Sequence, residues 1–207
     1  MKRTKMTITA SDQNLSAQDL IKSYFEKSIE VKREVIQSGA LNSLPVMAQI
    51  IIESIKNNGK LLLCGNGGSA ADAQHLAAEL LIRLRPHVNR DALPALTFAT
   101  DISTITACGN DYSFEDIFAR PLEALGQKQD VLLVITTSGQ SENINRALRV
   151  ARKKGMMTLA LLGGDGGKAL AYCDHSFIVP SRLTAHIQEC HITAGHILMQ
   201  LVEEAFI

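Results

Sequence analysis

Two segments of the chain share one layout: an apolar run, a turn rich in glycine or hydroxyl side chains, and a helical pattern. In the first, the run 61–64 leads into Gly65-Asn66-Gly67-Gly68-Ser69. In the second, the run 131–135 leads into Thr136-Thr137-Ser138-Gly139-Gln140-Ser141. Both runs are continuously apolar rather than alternating, which is typical of parallel strands buried on both faces. The layout therefore predicts strands that alternate with crossover helices.

The same alternation continues from residue 60 to the end of the chain. The predicted strands are 61–64, 95–99, 131–135, 157–162 and 175–179. The predicted helices between and after them are 69–84, 101–107, 114–125, 141–154, 166–172 and 184–205. This order indicates an α/β fold with a doubly wound, mostly parallel five-stranded sheet. Ligands of such folds bind outside the carboxyl ends of the strands, where both turns lie.

Two further helices are predicted before the first strand, over 17–37 and 44–56. Both are rather apolar, so they either cover one face of the sheet or provide contacts between subunits. The pattern favours neither alternative. We expect residues 1–16 to form a flexible N-terminal segment and residues 17–207 to form a single domain that includes these helices.

The composition argues against several classes of partner. The 21 basic and 21 acidic residues cancel, so nothing favours a nucleic-acid backbone. The N-terminus has no apolar signal region, and no run approaches the roughly 18 apolar residues of a membrane span. The cysteines form no C-x-x-C motif and are expected to be reduced thiols. We therefore expect a cytoplasmic protein whose ligand is a charged small molecule, with no nucleic-acid or membrane partner.

Both turns have the features of an anion site, because backbone N–H groups and the positive end of a helix dipole converge there. The first turn has three glycines beside Asn66 and Ser69, more than a plain tight turn needs. The second has four hydroxyl side chains, whereas a helix N-cap uses one. Together they predict a phosphorylated metabolite. A nicotinamide or flavin cofactor is not expected, because 84–87 lacks the acidic residue that a dinucleotide fingerprint requires.

Polar groups that could carry chemistry lie on two predicted helices. His75 and Glu79 are spaced i,i+4, so they share a face and form either a metal or acid–base pair or an ordinary surface pair. On the last helix, His196 is either an inward-facing functional group or a satisfied core histidine. Gln188 lies about 12 Å from it along a straight helix, so spacing alone does not make both ligands of one ion.

Two further loops contain glycine. Gly109-Asn110-Asp111 follows a helical stretch and indicates either an ordinary turn or hydrogen bonds to substrate hydroxyls. The run 163–167 follows a predicted strand, and we interpret it as a turn and helix cap rather than a ligand site.

These motifs together resemble sugar-isomerase (SIS) domains and, more narrowly, the bacterial phosphoheptose isomerase family. The motifs are Gly-Asn-Gly-Gly-Ser at 65–69, His-x-x-x-Glu at 75–79, Gly-Asn-Asp at 109–111, Thr-Ser-Gly-x-Ser at 137–141 and Ile-Gln-Glu at 187–189. The resemblance covers about residues 17–205, which is nearly the whole chain.

The resemblance implies an aldose–ketose isomerase. Its reaction converts sedoheptulose 7-phosphate to D-glycero-D-manno-heptose 7-phosphate through an enediol, toward ADP-heptose for the lipopolysaccharide core or related glycans. The resemblance also implies a homotetramer with active sites at subunit interfaces and one zinc ion per subunit.

The resemblance further assigns roles to residues. The implied metal ligands are His75, Glu79, Gln188 and His196. Glu79 is the expected base and His196 its acid partner. The implied substrate-binding residues are Asn66, Gly67, Gly68, Ser69, Glu79, Asn110, Asp111, Thr136, Thr137, Ser138, Ser141 and Gln188.

Two positions depart from the family pattern. Thr136 stands where serine is common and keeps the hydroxyl, whereas Ala185-His186 stands where relatives often have Asp-Arg. One other class of function shares the Gly-Asn-Gly turn: non-catalytic SIS tetramers that bind the bacterial replication initiator protein. That class lacks the full metal and acid–base set, so Glu79 and His196 favour the enzyme.

Overall fold

The computed structural model describes residues 16–207 and confirms the predicted fold class. The strands are β1 (Leu61–Gly65), β2 (Ala95–Thr97), β3 (Val131–Thr136), β4 (Met157–Gly163) and β5 (His175–Val179). The helices are α1 (Ala17–Gln37), α2 (Ser43–Lys56), α3 (Gly68–Leu81), α4 (Ile102–Asp111), α5 (Ala119–Leu125), α6 (Glu142–Lys153) and α7 (Thr184–Glu204). The prediction for residues 1–16 falls, apart from Ser16, outside the described residues.

The five strands form one parallel sheet in the order β2-β1-β3-β4-β5. The chain leaves β1 toward β2 on one side and then returns to place β3 on the other side. Such a reversal is the point at which open α/β sheets bind ligands. The β1–β3 register runs from Leu61 opposite Val131 to Gly65 opposite Ile135, so the two turns open side by side.

Successive strand residues feed two separate cores, one on each face of the sheet. Leu61 and Leu63 pack with α2, α3 and α7, whereas Leu62 and Cys64 pack with α5 and α6. All five residues of β1 are buried, as are all six of β3. Helices on both faces explain why these strands are apolar without alternation.

The two N-terminal helices differ in how much of their apolar surface is buried. Helix α2 covers the sheet with a buried face that includes Met47 and Ile51. Helix α1 buries only Ser28, Val31 and Val35. Its exposed large apolar side chains are Leu20, Ile21, Tyr24, Phe25, Ile29 and Ile36. Helix α1 therefore presents an apolar face that the rest of the described chain leaves uncovered.

Two predicted helices are wrong because of local backbone chemistry. The helix predicted over 114–125 is a short 3-10 turn followed by α5. Pro121 lies in the first turn of α5, where its missing N–H is tolerated. The helix predicted over 166–172 is only the 3-10 turn Lys168–Tyr172. Gly166 and Gly167 have φ values of 81° and 56°, which are incompatible with a right-handed helix.

Two other helix ends differ from the prediction. Helix α3 ends at Leu81 rather than residue 84, because the Arg90 guanidinium donates to the carbonyl oxygens of Glu79 and Leu80, at 2.8 and 2.9 Å. Buried Glu203 of α7 in turn accepts from Arg90 at 3.2 Å. Helix α4 continues to Asp111, so Asn110 and Asp111 form its last turn rather than a separate turn.

All four cysteines are free thiols, as predicted. Across residues 16–207 no single helix has the length and apolarity to cross a membrane. The helices Ala17–Gln37 and Ala40–Lys56 reach the required hydropathy only as a pair bent by 62°.

Helix α7 contains a histidine, His191, that is fully buried against β4. Its Nε2–H donates to the Leu162 carbonyl oxygen at 2.9 Å, and its Nδ1 has no hydrogen-bond partner in the described part of the chain. Burial lowers the pKa of His191 to about 4 from its usual 6.5. Because the folded pKa is the lower one, the unfolded chain binds more protons between these values, and stability falls as pH drops through this window.

We predict that the unfolding free energy falls by about 2 kcal/mol between pH 7 and pH 5 on account of His191 alone. The variant His191→Gln keeps a donor for the Leu162 carbonyl and does not titrate. Its unfolding free energy should therefore fall by about 2 kcal/mol less than that of the wild type between pH 7 and pH 5. Urea unfolding at both pH values measures this. The exposed His87→Gln is the control, and parallel losses in wild type and His191→Gln would contradict the prediction.

Candidate functional site

Helices α3 and α7 lie side by side at the centre of the candidate site. Both begin at the carboxyl edge of the parallel sheet, after β1 and β5, so both run in the same direction. Gly195 permits their close approach, because a Cβ at that position would lie 2.6 Å from the Leu76 side chain. This contact brings the polar face of α3 against His196.

Three of the four predicted metal ligands meet across these helices. The Nε2 atoms of His75 and His196 are 2.8 Å apart, and His75 Nε2 lies 3.1 Å from Glu79 Oε1. One ligating atom from each residue lies within 4.8 Å of the others. At this separation one imidazole donates its Nε2–H and the other accepts. Two imidazoles and one carboxylate form a donor set that suits Zn²⁺ with an open coordination position.

The fourth predicted ligand, Gln188, lies nearer the start of α3. Its side-chain amide packs directly over Gly68, where any Cβ would overlap it. Gln188 is about two helical turns before His196, so the two residues face different levels of α3. A Cβ at position 68 would displace the Gln188 amide from this position.

A residue that sequence reasoning missed, Asp72, lies between these levels. Its Oδ2 is buried without a hydrogen-bond partner among residues 16–207. Burial raises the pKa of Asp72, while Gln188, His75 and His196 act in the opposite direction. Asp72 precedes His75 by three positions and Glu79 by seven, so helical periodicity alone puts all three on one face. That spacing is a signal from which the residue could have been predicted.

The first turn binds its own backbone tightly. Gly67 adopts φ 57° and ψ −122°, which only glycine tolerates readily, and its carbonyl accepts from the Ala70 N–H at 3.0 Å. The N–H of Gly68, at the start of α3, has no intrahelical acceptor. Ser69 is buried, and the side chain of Asn66 pairs with Asn143 of α6. The turn therefore leaves the Gly68 N–H available as a donor at the N-terminus of α3.

The second turn combines internal hydrogen bonds with an unused hydroxyl. The Thr136 hydroxyl accepts from the Gly139 N–H, and the Ser138 hydroxyl accepts from the Gln140 N–H, both at 3.2 Å. Ser141 is the N-cap of α6 but makes no side-chain capping bond. Its hydroxyl is consequently free to meet an anion at that N-terminus.

A cavity of about 650 Å³ opens beside the second turn, toward the start of α7. Thr137, Ser138, Asp165 and Arg182 are among its polar lining residues. The run 163–167 does form a turn, in which Asp165 accepts from the Gly167 N–H at 3.0 Å. Its first three residues nevertheless line this cavity, which has the size of a small-molecule site.

Some predicted residues are not brought to the cluster. Asn110 donates to Asp111 at 2.8 Å, and both are exposed. Neither makes a hydrogen bond or ion pair with another predicted site residue within the described chain. His186, at the position that departs from the family pattern, is buried against α1, where its ring centroid lies 4.5 Å from that of Tyr24.

Comparisons with known proteins agree with this architecture. A family model described as SIS domain matches residues 23–163. A phosphoheptose isomerase of Chlorobaculum parvum is 51% identical over 172 residues, covering 83% of this chain and 82% of the relative. One of Nitratiruptor is 54% identical over 157 residues, 76% of this chain and 83% of the relative. The structure of a phosphoheptose isomerase from Francisella tularensis has a TM-score of 0.85 and 40% identity, covering 92% of this chain and all of that one.

The family model, the two relatives and the solved structure each cover most of the chain. The sequence identities of 40–54% are high enough to indicate a common family and not only a common fold. The chain thus belongs to the phosphoheptose isomerase family of SIS-domain proteins and is an enzyme, a sugar phosphate isomerase of the aldose–ketose class.

Proposed function

We propose that the enzyme converts sedoheptulose 7-phosphate to D-glycero-D-manno-heptose 7-phosphate through an enediol. The observation that carries the proposal is the convergence of His75, Glu79 and His196 at α3, the helix that begins at the first of two neighbouring anion-type turns. An aldose–ketose isomerisation needs a base, an acid and groups that stabilise oxyanion charge. The names of the relatives support the same reaction class.

Glu79 is the proposed base. It takes the proton from C1 of the ketose and returns it to C2, so that no proton is gained or lost overall. Its Oε1 faces His75 at 3.1 Å, while Oε2 makes no hydrogen bond or ion pair with the described residues. His196 is the proposed acid partner, which protonates O2 as the enediol forms and accepts the O1 proton as the aldehyde forms.

The two turns are the proposed grip on the substrate. Thr136, Thr137, Ser138 and Ser141 surround the phosphate, supported by the N-terminus of α6. The sugar lies along the first turn, against Asn66, Gly67, Gly68 and Ser69. Phosphate binding, remote from the reacting carbons, then supplies energy that positions C1 and C2 beside Glu79.

A zinc ion, one per subunit, is the proposed cofactor. His75, Glu79 and His196 would hold it. Gln188, which lies about two helical turns before His196 and against Gly68 in one chain, would be the fourth ligand through side-chain reach, helix curvature or a neighbouring subunit. Bound there, zinc would polarise the sugar carbonyl and hydroxyl oxygens. The 4.8 Å convergence of nitrogen and oxygen donors supports this assignment.

We further propose a homotetramer whose active sites are completed across subunit interfaces. The exposed apolar face of α1 supports a subunit contact, and Asn110 and Asp111 lie exposed and apart from the cluster in one chain. They would contact substrate hydroxyls from a neighbouring subunit. Residues 17–207 would act as one domain, in the cytoplasm, in the synthesis of ADP-heptose for lipopolysaccharide or related glycans.

The variants Glu79→Gln and His196→Ala should each lower kcat for sedoheptulose 7-phosphate by about 10²–10⁴-fold, because each removes a proton-transfer group. Turnover is measured by conversion to the aldose, and circular dichroism checks folding. The exposed His87→Ala should keep wild-type rates. Near wild-type turnover in either variant would refute its role, and a folded wild type that does not convert sedoheptulose 7-phosphate would refute the proposed substrate.

Protein purified without chelator should contain about one zinc per chain, and added zinc should raise the Tm of metal-stripped protein, since a ligand that binds only the folded state stabilises it. Both effects should be lost in His75→Ala and retained in His87→Ala. Metal analysis and thermal unfolding measure them. Protein that holds no zinc and keeps its activity with chelator would remove zinc from the scheme.

Light scattering should give the mass of four chains for the wild type. Phe25→Glu places a charge on the exposed apolar face of α1 and should yield smaller species, because an unpaired charge at a buried contact is costly. Lys22→Glu, on the same helix, is the control for added negative charge. A monomeric wild type would exclude the proposed assembly.

A further inference from the structure

The two turns are joined by a reciprocal pair of side-chain amides. Asn66 Nδ2 donates to Asn143 Oδ1 at 2.9 Å, and Asn143 Nδ2 donates to Asn66 Oδ1 at 2.8 Å. Asn143 lies in the first turn of α6 and is only 2% exposed. Two parallel hydrogen bonds fix both the distance and the relative orientation of the amides.

We propose that Asn143 is a positioning residue that locks the first turn to the second, so that sugar and phosphate bind in a fixed relation. The inference rests on the proposed function, which places the sugar on one turn and the phosphate on the other. Asn143 acts through Asn66 and does not itself touch the substrate.

The backbone ladder between β1 and β3 ends just before the two turns. The last β1–β3 partners are Gly65 and Ile135, immediately before the turns. Within residues 16–207, no backbone hydrogen bond joins 66–69 to 137–141. The amide pair therefore continues the connection from Asn66, one residue past the last β1 partner, to Asn143 in α6, where the ladder no longer sets the separation.

A third hydrogen bond orients the Asn143 amide. Its Oδ1 also accepts the backbone N–H of Ile144 at 2.9 Å, so Oδ1 faces two donors and Nδ2 is left to donate to Asn66. This bond ties the amide to the N-terminal turn of α6, whose N-cap is Ser141. A displacement of α6 would therefore be transmitted to Asn66 through the pair.

The same helix offers a matched control, Asn145. It lies two residues further on and is fully buried, but in the described chain neither Nδ2 nor Oδ1 has a hydrogen-bond partner. The changes Asn143→Leu and Asn145→Leu thus remove the same group at the same depth. Only the first breaks a connection between the turns.

The first experiment compares kcat and KM of the two variants with sedoheptulose 7-phosphate. Asn143→Leu should lower kcat/KM by about 10²-fold, because a misplacement near 1 Å has an effect of that order. Asn145→Leu should stay within about twofold of wild type. A purely structural role would lower the Tm of Asn143→Leu and leave kcat/KM of the folded protein unchanged, and that result would overturn the proposal.

A double-mutant cycle tests the coupling and covers failure of the leucine variant to fold. It combines Asn66→Ala and Asn143→Ala. If Asn143 acts through Asn66, then Asn143→Ala should have almost no further effect on kcat/KM in the Asn66→Ala background. Independent, additive losses would overturn the proposal.

A binding measurement separates this inference from the proposed function. If the wild type is inactive but sedoheptulose 7-phosphate raises its Tm, the proposed function fails. The positioning role of Asn143 can then still be tested by comparing the rise in Tm between variants. A smaller rise in Asn143→Leu than in Asn145→Leu supports the positioning role, and an equal rise overturns it. A wild type with neither turnover nor stabilisation overturns both.

Discussion

The site depends first on the parallel pairing of β1 with β3, which ends at Gly65 and Ile135. Because both strands stop at one level, their turns open together, and α3 and α6 start from the same edge. Each helix directs its N-terminal N–H groups toward that edge. Two neighbouring N-termini concentrate positive potential there, and Arg182 lines the cavity beside the second turn.

The second constraint is the contact of α3 with α7. Both helices leave the carboxyl edge, so they run parallel, and residues at matching distances from their starts meet. Gly195 allows the approach, while buried Arg90 and Glu203 join the far ends of the two helices. His196 reaches His75 and Glu79 for this reason, whereas Gln188, about two turns earlier, meets Gly68. Gln188 and His196, about 12 Å apart along α7, therefore contact α3 at different levels within one chain.

The strands, the sheet type and the location of the turns could be predicted from the apolar runs and from the glycine and hydroxyl residues that follow them. Burial on both faces makes a strand continuously apolar, and this is visible in the sequence. Asp72 was equally readable from helical periodicity. The pairing of His196 with His75 was not, since it depends on how α7 packs rather than on spacing within it. The same holds for Asn66 with Asn143, which lie 77 positions apart. The predicted end of α3 was wrong because a residue distant in sequence, Arg90, donates hydrogen bonds to the carbonyl oxygens of its last turn.

The groups proposed to bind the phosphate and the groups proposed to transfer protons lie on different parts of the molecule. The turns offer backbone N–H groups, hydroxyls and carboxamides, none of which titrates near neutral pH. The titratable groups that the proposed reaction uses lie instead on the facing sides of α3 and α7. In the proposed reaction, the turns would bind the phosphate end without a titratable group of their own, and proton transfer would be confined to the histidine–glutamate cluster. In the proposed reaction, the sugar spans from the first turn to the histidine–glutamate cluster while the second turn binds the phosphate. The distance between the turns would therefore decide where the reacting carbons lie.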